Sequence, residues 1–255
     1  MRRFLALLVP LACAGTASAQ EPIDHAMIAR IKDEGLNRSR VMELFNHLTN
    51  VIGPRLTGSP AHKQAADWSA ARLRDFGLAN VHLEPFEFGR GWTLEQLTLE
   101  MIEPRYFPLI GYPEAWTPST RGELVVTPVY LGDLTPDQVR GRSTELKGAV
   151  VLPWQPQSQF IKEDRLQPTE HEQRVRIGAP PNVGTTGPAD RPTMSALLRE
   201  VGAGVVLRPN QGEHGTIFVL GQRSTPDSAP TSIVLASEHY NMIVRLLQSG
   251  AAVKL

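Results

Sequence analysis

The stretch Gly53-Pro54-Arg55-Leu56-Thr57-Gly58-Ser59-Pro60 separates two segments with helical spacing and consists mainly of residues that end or begin helices. Gly53 and Pro54 favour the end of the preceding helix, because glycine adopts the left-handed conformation there and proline does not continue a helix. Ser59 is a typical helix N-cap, and Pro60 suits the first helical position. The stretch therefore predicts a helix, a turn and a second helix, and on spacing alone it fits a plain connection.

Apolar residues at helical spacing mark the segments on both sides of this turn. Residues 23–36 and 38–52 predict two amphipathic helices, and residues 60–76 predict a third. Two segments of alternating apolar residues, 81–88 and 94–102, then predict strands. This order of helices and strands is typical of the front edge of an α/β unit.

The second half of the chain has a different composition. Residues 106–120 are rich in proline and aromatic residues and predict an ordered linker between two domains. Residues 155–192 are polar and proline-rich, and their length predicts an exposed functional loop or a floppy one. The remaining segments predict short strands at 123–131, 148–154, 202–207, 216–220 and 231–235, and helices at 134–142, 193–201 and 237–250, the last capped by Ser237.

The composition excludes several classes of protein. With 255 residues, of which 41% are hydrophobic and 20% charged, the chain has the profile of a globular protein of one or two domains. Its 26 basic and 26 acidic residues form no basic cluster, which argues against nucleic acid and against a charged membrane surface as partners.

The first 19 residues have the features of a secretory signal peptide. Two arginines at positions 2 and 3 precede an apolar run over residues 4–14, and Ala17-Ser18-Ala19 supplies small residues for cleavage. The apolar run is too short to span a membrane as a helix. The sequence therefore predicts an exported protein, periplasmic or extracellular, with no membrane segment after cleavage.

Cys13 is the single cysteine, and cleavage after residue 19 would remove it. The mature chain would then have 24 basic and 26 acidic residues, no disulfide, no thiolate metal site and no cysteine nucleophile. A lipoprotein signal that uses Cys13 is the alternative, although Pro10 fits it poorly.

Residues suited to catalysis or metal binding are scattered. Glu170-His171-Glu172 is the densest cluster of possible ligands, but neighbouring residues of an extended loop point apart, so we expect a solvated loop. We expect Glu213-His214 and the pair Glu238-His239 on the surface. No zinc-protease helix, nucleophile elbow, phosphate loop or dinucleotide fingerprint is present. The seven histidines are His25, His47, His62, His82, His171, His214 and His239.

The order of the N-terminal segments resembles the N-terminal signature of the co-catalytic zinc exopeptidases, a family that includes secreted aminopeptidases and glutamate carboxypeptidase-like enzymes. The matching pieces are residues 41–48, 53–59, 65–66 and 73–78. The resemblance implies that residues 20–105 are the N-terminal portion of a peptidase domain. It also implies that Arg55, Thr57 and Gly58 form a structural marker turn, outside the metal site.

The second half resembles the protease-associated domain that many of these enzymes carry as an insertion. The matching pieces are residues 126–132, 146–152, 197–206 and 230–235, with the closing helix. The resemblance implies a β-rich lid domain with flanking helices over residues 121–255. The expected fold class is therefore mixed α/β, an incomplete zinc-exopeptidase domain followed by a protease-associated domain.

The departure from the family concerns the metal ligands. The family holds two zinc ions with a His-x-Asp motif, a bridging Asp, a Glu-Glu pair and later ligands, whereas this sequence has no His-x-Asp motif. No catalytic or metal-binding residue is therefore assigned, and zinc is expected in the parent enzyme but not on this chain. Residues 251–255 begin a strand-like pattern and stop inside it, which suggests part of a longer protein.

The resemblance thus predicts the N-terminal part of an exported zinc-dependent exopeptidase that acts on peptide substrates and hydrolyses terminal peptide bonds with metal-activated water. Amino- or carboxypeptidase preference and oligomeric state stay open. The alternatives are a stand-alone, non-catalytic protease-associated module that binds or regulates, and an exported sugar- or peptide-binding domain unrelated to peptidases.

Overall fold

The structure, a computed structural model, describes residues 23–120, 122–160, 194–221 and 230–255. The predicted signal peptide, the cluster Glu170-His171-Glu172 and most of the 155–192 loop lie outside the described residues. The fold forms two compact units, residues 1–54 and 55–255.

The first unit contains the two predicted helices, the second of which changes its type. Helix α1 spans His25–Leu36, and helix α2 spans Val41–Asn46 and continues as a π-helix over His47–Ile52. The π-helix ends at Gly53, which has a φ of +79° and donates its backbone N–H to Leu48 at 3.2 Å. None of these helical residues is buried.

Helix α3 spans Pro60–Asp75 and begins as the sequence predicts. Ser59 caps it, because its hydroxyl oxygen accepts the backbone N–H of His62 at 3.2 Å, and Pro60 occupies the first helical position. The helix is followed by Gly77 with a φ of +85°. Local capping chemistry thus determines both ends of this helix.

The strands predicted at 81–88 and 94–102 are wrong except for two residues. Strand β1 is Glu100–Met101, and it pairs antiparallel with β2, Phe107–Pro108. Residues 81–99 form no strand, and Phe86 is 68% exposed. The alternation of apolar residues is present, but a strand also needs a neighbouring strand, and none of the described residues provides one there.

Five further strands form one sheet in the second unit, which confirms the mixed α/β class. Its order is β3-β7-β6-β5-β4; β4 to β7 are parallel, and β3 runs antiparallel to β7. The segment predicted as a linker, residues 106–120, is ordered and supplies β2 and β3. The strands are β3 (Gly111–Pro113), β4 (Val129–Tyr130), β5 (Val150–Leu152), β6 (Val205–Pro209) and β7 (Thr231–Leu235).

Both faces of this sheet are covered. Val150 and Leu152 belong to the apolar cluster that includes Ile243 of helix α7, whereas Val151 belongs to the other apolar cluster, which includes Leu198. Successive side chains of a strand point to opposite faces, so a run of apolar residues is expected in such a strand. The helices are α4 (Pro136–Gly141), α5 (Ser143–Leu146), α6 (Met194–Glu200) and α7 (Ser237–Gln248).

Three local predictions in the second half are wrong in whole or in part. Of the strand predicted at 123–131, only Val129–Tyr130 is formed. The strand predicted at 216–220 is not formed, because the Asn210 side chain binds this backbone instead: its amide donates to the carbonyl of Thr216 and accepts from the N–H of Phe218. Ser237 does not cap α7. It lies in the first turn, and its hydroxyl donates to the backbone oxygen of Asn210 at 2.6 Å.

The described residues contain no helix that is both long enough and apolar enough to cross a membrane.

Candidate functional site

In the marker turn, the backbone lies in direct contact with a second segment of the chain. The backbone N–H of Ser59 donates to the carbonyl of Leu56 at 2.9 Å, and Gly58 between them has a φ of +81°. A Cβ on Gly91 would overlap the carbonyl oxygen of Gly58, so the two backbones are in direct contact. Arg55 is exposed and Thr57 is half-buried.

A group of aromatic and arginine contacts joins the segment beside this turn to the sheet edge. The indole N–H of Trp116 donates to the carbonyl of Arg90 at 2.9 Å, and the Arg90 guanidinium donates to the carbonyl of Trp116 at 3.2 Å. The indole N–H of Trp92 donates to the carbonyl of Thr117 at 3.1 Å. Since residues 116 and 117 lie three and four positions after the end of β3, these contacts attach the turn region to the sheet.

The described histidines do not converge on a metal site. Among the described residues, no group of three or more His, Cys, Asp or Glu side chains could hold a metal ion. His82 lies between the carbonyl of Asn80 and the Glu84 carboxylate, and the hydrogen bond to the Asn80 backbone is the main cause of its raised pKa. His214 is exposed, as predicted. The residues that the structure describes do not fit the zinc centre that the family resemblance implies.

His239 corrects the prediction of a surface position. Its ring is half-buried, its Nδ1 accepts the backbone N–H of Ile110 at 2.9 Å, and it packs edge-on against Phe107 at 5.0 Å. Burial lowers the pKa of His239, while the neighbouring Glu238 opposes this effect. The neutral imidazole is thus a structural acceptor that ties α7 to the β2–β3 connection.

The carboxyl edge of the parallel strands is the place where α/β sheets usually bind ligands. Here the Tyr240 hydroxyl accepts the N–H of Trp154 at 2.9 Å and donates to the carbonyl of the same residue at 2.6 Å. Burial raises the pKa of Tyr240 strongly, so the phenol stays neutral. The buried Tyr240 hydroxyl, which both accepts and donates a hydrogen bond, therefore fixes the backbone of Trp154 at this edge.

The next residue of α7 holds the beginning of the 155–192 loop in the same way. The Asn241 side chain accepts the N–H of Gln157 and donates to its carbonyl, both at 2.7 Å. The Tyr130 hydroxyl donates to the side chain of Gln155 at 2.9 Å. Helix α7 and strand β4 thus fix the chain where it leaves β5.

An ion pair connects strand β6, strand β7 and the residue that follows β3. Arg208 donates to the carboxylate of Glu114 at 2.7 Å, and the Ser232 hydroxyl donates to the other carboxylate oxygen. The guanidinium also lies 5.0 Å from the ring centre of Trp154. Sequence reasoning missed this pair, since its members are 94 residues apart; a charged residue at the end of the apolar run 205–207 was the available signal.

These side chains bind backbone groups or one another. Both carboxylate oxygens of Glu114 accept hydrogen bonds, and the Tyr240 hydroxyl is saturated, so neither is suited to proton transfer. The described site can therefore position chain segments, whereas it offers no nucleophile paired with a base.

No family model matches the chain. Human carboxypeptidase Q is 24% identical over 225 residues, which are 78% of this chain and 43% of that protein. The carboxypeptidase Q of Bos taurus is 25% identical over 186 residues, 70% of this chain and 34% of that protein. The chain thus spans less than half the length of the curated relatives it matches.

The fold is also similar to a solved structure, the peptidase M28 precursor from Shewanella amazonensis SB2B. The TM-score is 0.53 at 18% identity, over 89% of this chain and 48% of that one. The sequence relation to carboxypeptidase Q and this likeness in fold confirm the resemblance to co-catalytic zinc exopeptidases that the sequence indicated.

Proposed function

We propose that this chain is the N-terminal part of an exported, zinc-dependent exopeptidase that hydrolyses peptide bonds next to a chain terminus. The observation that carries the proposal is the alignment with carboxypeptidase Q over 225 residues, which includes most of the described chain. The order of helix, marker turn, helix and strand-rich second half supports the same assignment.

In this proposal the chain supplies structure, and the two zinc ions are bound by polypeptide that this sequence does not include. The described residues contain no candidate metal cluster, and the sequence has no His-x-Asp motif. Metal-activated water therefore has no place on the described part of this chain, and we assign none of its residues a chemical step.

Residues 121–255 would form a protease-associated lid domain that narrows access to the active site. Two features support this part of the proposal. The sheet that these residues share with β3 has an apolar core on both faces, and its carboxyl edge is fixed by Tyr240 and Asn241, so it can present a defined surface to a substrate. Arg55, Thr57 and Gly58 would have a structural role near the junction.

The proposed function is tested on the longer protein. The coding sequence downstream of Leu255 is read, and the full product is secreted and assayed with peptides whose amino or carboxyl end is blocked in turn. We expect hydrolysis with one free terminus, lost on chelation and restored by zinc. A reading frame that ends at Leu255, or a full product without chelator-sensitive hydrolysis, would replace this proposal by a non-catalytic binding module.

A further inference from the structure

An apolar groove of about 560 Å³ lies on the sheet face that carries α7. Its floor consists of side chains from three neighbouring strands, Val150, Val205 with Leu207, and Ile233. Residues 96–100 line one side and residues 122–126 line the other.

Residues 253–255 run between the two walls of this groove as an extended segment. The carbonyl of Lys254 accepts the N–H of Ile102 at 2.7 Å and that of Glu103 at 3.3 Å. On the other side, Leu255 and Val126 exchange both backbone hydrogen bonds at 2.9 Å, the pattern of an antiparallel pair. One strand therefore separates the two walls here, which implies a distance of about 10 Å between them.

The side chains of this strand alternate. Val253 and Leu255 are buried in the apolar cluster, whereas Lys254 points away and its ammonium lies 3.0 Å from the Glu103 carboxylate. In a strand that continued in line, the second and fourth residues after Leu255 would face the floor.

The wall at residues 123–125 is open to such a strand. Within the described chain, the backbone groups of these residues make no hydrogen bond, although they lie beside an apolar floor. Leu124 is 42% exposed and Val125 is 53% exposed. Unpaired backbone groups next to an apolar surface favour the addition of a strand.

We propose that this groove is filled by an extended strand that continues directly from Leu255 in a longer form of the protein. The strand pairs antiparallel with residues 123–125, and every second side chain covers the floor. The occupant is the protein's own polypeptide, because residues 253–255 already set its direction and register, and the relatives are more than twice as long as the aligned region.

The inference rests on the proposed function for the existence of that polypeptide, but the groove can be tested without peptidase activity. Two versions of the chain are made, each with six residues added after Leu255. One has valine at the second and fourth added positions among serine and threonine. The matched control has the same composition with valine at the first and third.

The in-phase extension is expected to raise the thermal midpoint by at least about 4 °C, and the out-of-phase control is expected to leave it within about 1 °C. The proposal is overturned if the two extensions shift the midpoint equally.

A cysteine pair gives a second readout that does not depend on stability. In the proposed register the first added residue lies opposite Val125, so Val125→Cys should form a disulfide with a cysteine there, in a Cys13→Ser background. Leu124→Cys, which faces the floor, is the control and should not. Equal crosslinking of both variants would overturn the register. Failure of the zinc and hydrolysis assays alone would refute the proposed function and leave this result standing.

Discussion

The N-terminal helices and the five-stranded sheet both carry hydrophobic patterns, but their apolar residues differ in burial. Helices α1 and α2 expose Ile31 by 64% and Phe45 by 55%, and none of their residues is buried. In the sheet unit, Leu198 and Ile243 are fully buried. An amphipathic pattern thus indicates which face of a helix is apolar, whereas burial of that face also requires a second apolar surface to pack against it.

The strongest test of this difference is a pair of truncations. Ile243→Ala, on the buried face of α7, should lower the free energy of unfolding by about 2–5 kcal/mol, because it removes apolar contacts and leaves a cavity. Phe45→Ala, in α2, should change it by less than about 0.5 kcal/mol, because the ring is already largely in solvent. Urea unfolding monitored by circular dichroism measures both. Equal losses would mean that α2 has a buried face in this chain.

The next largest loss of stability is expected when the Glu114–Arg208 ion pair is broken. Glu114→Gln should cost about 1.5–3 kcal/mol, since Arg208 loses its charged partner while it stays largely buried. Glu87→Gln, at an exposed position, is the matched control and should be nearly neutral. The same unfolding assay compares the two, and a neutral Glu114→Gln would show that Arg208 has water or another partner available.

The marker turn is expected to show a smaller effect. Gly91→Ala should destabilise the chain by about 1–3 kcal/mol, because the new methyl group overlaps the carbonyl oxygen of Gly58. Gly141→Ala is the control: nothing lies within 4 Å of its would-be Cβ, and it ends helix α4, so alanine should be neutral or slightly stabilising. Thermal midpoints that fall equally for both variants would contradict direct backbone contact at the turn.

The smallest expected effect is the pH dependence of His239. Burial lowers its pKa in the folded state, so the unfolded state binds more protons and the contribution of His239 to stability falls as the pH drops through about 6.5. His239→Asn keeps an acceptor near Nδ1 but does not titrate. Relative to this variant, the wild type should lose stability between about pH 6.5 and pH 5. Parallel pH profiles would show that the Ile110 hydrogen bond does not depend on the neutral ring.

Local chemistry explains which elements the sequence predicted well. Helix α3 followed from Ser59, Pro60 and Gly77, all within one stretch of chain, and the buried strands β5 to β7 followed from short apolar runs. The strand predicted at 81–88 failed because alternation does not guarantee a neighbouring strand.

The candidate site depended more on distant partners. The prediction for His239 failed because its acceptor role depends on Ile110, 129 residues away. Glu114 and Arg208 are 94 residues apart, and the hydrogen-bonded residues Asn241 and Gln157 are 84 residues apart. The sequence has no local signal for contacts at such separations.

The most direct test of the central claim is the zinc content and activity of residues 20–255, the chain without its proposed signal peptide. The protein is purified, its bound zinc is measured by mass spectrometry, and hydrolysis of terminal peptide bonds is assayed with and without added zinc. We predict no stoichiometric zinc and no metal-dependent hydrolysis. One or two zinc ions per chain together with chelator-sensitive hydrolysis would contradict the account.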